Sequence, residues 1–138
     1  MVHLRIFFMQ LPKTAEYALR VMVEIMRQGV DRGINASDLA RLTHVPLPFL
    51  FKVLRSLVRK RLLLSRKGPD GGYRLASPPE SIRIDDILRA IGYPSGDGHC
   101  IFGWKRCGGA HHCPLHSSWK EVKSAFRKWA EGTTIDQI

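Results

Sequence analysis

One stretch leaves this chain few folds. Between positions 48 and 61 the apolar residues Leu50, Val53, Leu54 and Leu57 recur at helical spacing, with Lys52, Arg55, Ser56 and Arg59 on the opposite side. The run passes without a linker into Leu62 to Lys67, a β-prone segment, then Gly68-Pro69-Asp70-Gly71-Gly72, then Tyr73 to Ala76. Glycines that tolerate positive φ between two short β-prone runs predict a hairpin. A cationic-faced helix followed directly by a basic hairpin is the order of a recognition helix and its wing.

Upstream, Tyr17, Ala18, Val21, Met22, Ile25 and Met26 alternate with Glu16, Arg20, Glu24 and Arg27, which predicts an amphipathic helix with Thr14 as its cap. A second, short helix is expected to start at an Ser37 cap and end near His44. Pro46 and Pro48 then force a turn, because each disfavours helix in the residue before it. The two helices around that turn read as a helix-turn-helix. Residues 82–91 read as an extended piece and a short helix stopped by Gly92 and Pro94.

Charge supports a polyanionic partner. Lys and Arg outnumber Asp and Glu by 22 to 12, a net charge of +10 on 138 residues. The length and the 44% hydrophobic content suit one core. No apolar run approaches the roughly 20 residues that span a bilayer, and no secretory signal is visible, so a cytoplasmic location without a membrane partner is expected. No orienting acid or substrate pocket is legible, so the chain reads as a binding protein rather than an enzyme.

All three cysteines fall in Cys100-x6-Cys107-x5-Cys113, with Gly103, Gly108 and Gly109 between them and His111, His112 and His116 nearby. Clustered thiols without a disulfide framework suggest metal ligands or redox groups. Thiolates suit zinc, copper(I) or an iron–sulfur cluster. The gaps are wider than zinc pairs usually show and agree better with a larger inorganic centre, while a thiol switch stays open. Beyond them Leu115, Trp119, Val122, Phe126 and Trp129 step by four and three, the seam of a helix that pairs with another long helix.

Residues 11–135 resemble the Rrf-two family of winged-helix regulators. The resemblance rests on Glu16-Tyr17-Ala18-Leu19-Arg20, Gly68-Pro69-Asp70-Gly71-Gly72-Tyr73, the three cysteines, and Cys113-Pro114-Leu115-His116 leading into Trp119. It implies a mainly α fold with a small β-hairpin wing, a winged helix-turn-helix with a long C-terminal dimerisation helix. It further implies a homodimer on a partly palindromic promoter site of double-stranded DNA, acting as a repressor under control of a two-iron or four-iron cluster. Cys100, Cys107 and Cys113 would then be ligands. The fourth would be His116, as in IscR-like members, or Glu16 of the partner subunit, as in NsrR-like members.

The expected organisation is a leader over 1–10, the winged helix-turn-helix over 11–94, a cysteine-rich loop over 95–116 and a dimerisation helix with its tail over 117–138. Leu47, Pro48, Lys52, Arg55 and Arg59 are the expected groove contacts, with Arg66, Lys67, Gly71, Gly72 and Tyr73 on the wing. Phe51 departs from the polar residue that some IscR-like members carry there, and Pro46 and Pro48 replace polar residues at the helix start.

Overall fold

The computed structural model describes residues 11–93 and 113–138. Among these residues five α-helices and one hairpin surround a single core: α1 (Lys13–Arg27), α2 (Ala36–Thr43), α3 (Leu47–Arg59), β1 (Leu63–Arg66), β2 (Gly72–Leu75), α4 (Ile84–Ala90) and α5 (His116–Gly132), with short 3-10 turns at Pro79–Ser81 and Ile135–Gln137. This is the expected mainly helical winged fold. No helix among the described residues is long and apolar enough to cross a membrane.

Helix α1 buries Ala15, Ala18, Val21, Met22 and Ile25, a stripe centred one position away from the expected one, so Tyr17 and Met26 are only half-buried. Pro12, not Thr14, occupies the cap, and no side chain bonds there. A proline before a helix costs nothing, since its missing N–H would have had no partner.

The cap of α2 also differs from expectation. Asn35 accepts a hydrogen bond from the Asp38 backbone N–H at 2.8 Å, while Ser37 lies inside the first turn. The reason is tertiary. Ile34 exchanges two backbone hydrogen bonds with Tyr73, at 3.0 and 2.8 Å, and this pins it in an extended conformation. The helix must therefore begin immediately after it, and Asn35 is the polar residue at that place.

Helix α3 buries Leu50, Val53, Leu54 and Leu57, as its periodicity requires. It starts one residue before the expected Pro48 and stops at Arg59 rather than Arg61. Arg61 adopts φ 61°, and Leu62 N–H bonds back to Leu57 O at 3.0 Å while Arg61 N–H bonds to Val58 O at 3.0 Å. That pair of bonds is a Schellman ending, with arginine where glycine is usual.

The hairpin register pairs Leu63 with Leu75, Leu64 with Arg74, Ser65 with Tyr73 and Arg66 with Gly72. Leu63 and Leu75 face the core, so Leu64, Arg66 and Arg74 share the outer face.

The end of α5 and the tail join this same core. Ala130 and Ile135 are fully buried, Ile84 N–H bonds to Thr133 O at 2.9 Å, and Ile135 N–H bonds to Ile82 O at 3.0 Å. The tail, whose purpose the sequence left open, is stitched to the strand-like entry of α4. There the Asp86 carboxylate bonds to Arg83 and raises its guanidinium above the ordinary arginine range.

Candidate nucleic-acid interface and cysteine segment

The outer side of α3 is cationic because the inner side is filled with aliphatic residues and the helix repeat leaves Lys52, Arg55 and Arg59 pointing away from them. All three are exposed, as are Leu47 and Pro48 at the start of the helix. Among the described residues Lys52, Arg55 and Arg59 pair with no carboxylate, in contrast to Arg41, Arg83 and Arg89, each bonded to an aspartate.

The wing adds exposed Arg66, Lys67 and Arg74. Phe51, Arg55 and Arg59 of α3 and Ser65 and Tyr73 of the hairpin line one shared groove. Of the expected contacts, Arg55, Arg59 and Tyr73 meet in this groove, whereas Arg66, Gly71 and Gly72 border a separate cleft beside the α1–α2 connection.

Gly71 and Gly72 have a building role. A side chain on Gly72, at φ +117°, would place its Cβ 2.5 Å from Ile34 O, and one on Gly71 would lie 2.1 Å from Arg66 O. The Gly71 N–H closes the turn onto Gly68 O at 3.0 Å, and the Tyr73 backbone is spent on Ile34. These residues hold the wing against the α1–α2 connection, while the cations beside them stay in solvent. Phe51, which stands where a polar residue was expected, also borders the groove between α3 and the wing.

Cys113 precedes α5 and His116 is its first residue, with His116 N–H bonded to Cys113 O at 3.0 Å. Both side chains are half-buried. Cys100 and Cys107, with His111 and His112, lie outside the described residues. Among the described residues no three metal-binding side chains come together. Glu16 is half-buried on α1 and pairs with Lys13 at 3.1 Å and with Arg20. A thiol and an imidazole one turn apart at the foot of a helix are a soft donor pair of the kind a thiolate-rich centre uses.

The intended pairing seam of α5 is largely uncovered. Leu115, Val122 and Trp129 are 42%, 39% and 45% exposed, and Trp119 and Phe126 are half-buried. The only contribution of α5 to the buried core is Ala130, with Phe126 packed beside it and its ring 5.5 Å from that of Trp129.

A helix-turn-helix with a cationic outer face, buttressed by a two-strand wing, defines a winged-helix DNA-binding protein. The family model described as "Rrf2: Iron-dependent Transcriptional regulator" matches residues 11–138. An HTH-type transcriptional regulator of Aquifex aeolicus (strain VF5) is 32% identical over 127 residues, covering 91% of this chain and 88% of its own. Two solved structures share the fold. CymR (YrzC), the global cysteine regulator of B. subtilis, superposes with TM-score 0.78 at 19% identity, covering 94% of this chain and 95% of its own. T. potens IscR gives TM-score 0.73 at 19% identity, covering 92% and 83%. The chain belongs to the Rrf-two family of transcriptional regulators.

Proposed function

We propose that this chain is a homodimeric transcription repressor whose hold on a partly palindromic promoter is set by an iron–sulfur cluster of two or four irons. The observation that carries the DNA half is the exposure of Lys52, Arg55 and Arg59 on the face of α3 opposite its buried leucines. A helix with that face fits the major groove, about 12 Å wide, and the wing cations Arg66 and Lys67 reach the neighbouring backbone. Gly71, Gly72 and Tyr73 set where those cations stand. The exposed Leu115, Val122 and Trp129, with the half-buried Trp119 and Phe126 on the same seam, would pair α5 with its two-fold mate, spacing the two recognition helices about 34–36 Å apart or a multiple of that.

Cys100, Cys107 and Cys113 would hold the cluster, completed by His116 or by Glu16 of the partner subunit. Held there, the cluster would supply a redox- and nitric-oxide-sensitive centre, more labile for having a non-thiolate fourth ligand. Because Cys113 leads directly into α5, a change at the ligands would be passed to the angle of the pairing helix and so to the aim of both reading helices. The work of the protein is then done in the cytoplasm, on DNA.

A second reading takes support from the likeness of fold to a cysteine regulator: the thiols act as a redox switch or hold zinc. Anaerobic purification with absorption spectroscopy, iron and sulfide analysis and DNA binding before and after cluster removal separates the two. Brown protein whose promoter affinity shifts when the iron leaves is expected. Colourless or zinc-only protein that binds DNA equally in either form overturns the cluster reading.

A further inference from the structure

Among the exposed side chains of α3, Phe51 is out of place. Its neighbours on the outward side are cations, yet it presents a phenyl ring 46% exposed to solvent. Phe49, also exposed, lies on the other flank of the helix, with its ring 6.2 Å from that of Tyr17 in α1. Phe51 instead borders the groove shared by α3 and the wing, between Arg55, Arg59 and Tyr73. It sits in the second turn of α3, within the N-terminal part of a recognition helix that reaches base edges.

Arg55 and Arg59, which line the same groove, draw a polyanion onto it, so what covers the phenyl in the bound state is nucleic acid. A phenyl ring neither donates nor accepts a conventional hydrogen bond, and the hydrogen-bonding edges of guanine, adenine and cytosine offer it nothing. The one apolar feature of the major groove is the C5-methyl group of thymine. We infer that Phe51 is a specificity residue that selects thymine at one position of each half-site by burying its methyl group. This rests on the DNA-binding reading above.

The test begins by selecting bound duplexes from a randomised library with the full-length wild-type chain. Each thymine of the enriched duplex is then replaced singly by deoxyuridine, which removes the methyl and nothing else. Burial of one methyl corresponds to about fourfold in affinity. One thymine per half-site is expected to show that loss in the wild type and to lose it in Phe51→Ala, with Phe51→Leu in between. Placing 5-methylcytosine there should bind better than cytosine by a similar factor.

Uniform tolerance of deoxyuridine overturns the inference while leaving DNA binding intact. So does a methyl effect that persists unchanged in Phe51→Ala, which would assign it to another side chain such as Leu47. A library that yields no enriched sequence removes the DNA-binding reading itself.

Discussion

The Arg20 guanidinium donates to the backbone carbonyl of Thr43 at 3.4 Å, tying the middle of α1 to the last turn of α2. The carbonyls of a helix end lack intrahelical partners, and a cation beside them is favourable. The other nitrogen of the same guanidinium bonds Glu16. One side chain therefore joins a candidate cluster ligand to the turn that sets the angle between α2 and α3. Arg20→Met, which keeps the apolar stem, should cost about 1 kcal/mol and lower Tm by roughly 2–5 °C. A thermal melt indistinguishable from wild type would show that this contact contributes no stability.

Gly72→Ala and Gly29→Ala form a contrast in which only one has a steric conflict. Both glycines have φ above 100°, but the added Cβ meets Ile34 O at 2.5 Å at position 72 and open space at position 29. Gly29→Ala should cost about 1 kcal/mol, the strain of the backbone alone. Gly72→Ala should cost roughly 3 kcal/mol or more, since the wing must leave Ile34. Equal melting temperatures for the two variants would contradict the close packing of wing against connection.

Alanine at Lys52, Arg55 or Arg59 should weaken DNA binding, and each lost phosphate contact should lower the slope of log K against log salt by about one. A residue that instead contacts a guanine edge should lose about 1–3 kcal/mol of discrimination at one base pair. Titrations at several salt concentrations distinguish the two roles. Unchanged affinity with unchanged slope removes a residue from the interface.

Serine at Cys100, Cys107 or Cys113 should abolish or destabilise the visible spectrum of anaerobic protein with the far-ultraviolet circular dichroism intact. Of the two remaining candidates, His116→Ala is expected to change the spectrum and Glu16→Gln to leave it unaltered. The opposite result assigns the ligand to Glu16 of the partner subunit. Silence from both points to an external ligand.

Aspartate at Val122 or Trp129 should convert a dimer to a monomer in light scattering, with little change in secondary structure, because both side chains are exposed in the single chain. A dimer that survives both substitutions places the pairing surface elsewhere.

Helix α3 and the wing were legible because their determinants are local. Leu50, Val53, Leu54 and Leu57 declare a buried face by spacing alone, and Gly68 to Gly72 declare a turn by composition. The caps were not. Thr14 is a better capping residue than the Pro12 that holds the place, and Ser37 is as capable of capping α2 as Asn35, with nothing near it in the chain to select between the two. The three cysteines are close together in the sequence, but the described residues include only Cys113, so their spatial relation was not legible from either.

By itself, then, the amino-acid sequence determined which segments are helical, where the hairpin turns, and that the outward side of α3 is cationic. Only the tertiary structure decided that Ile34 pairs with Tyr73, that Arg20 reaches Thr43, and that Ile135 closes the core beneath α4. The division has a physical cause. Helical and strand periodicities act over three or four residues and leave a pattern in the chain, whereas a backbone hydrogen bond between positions 34 and 73 uses groups that every residue but proline carries, and so leaves none.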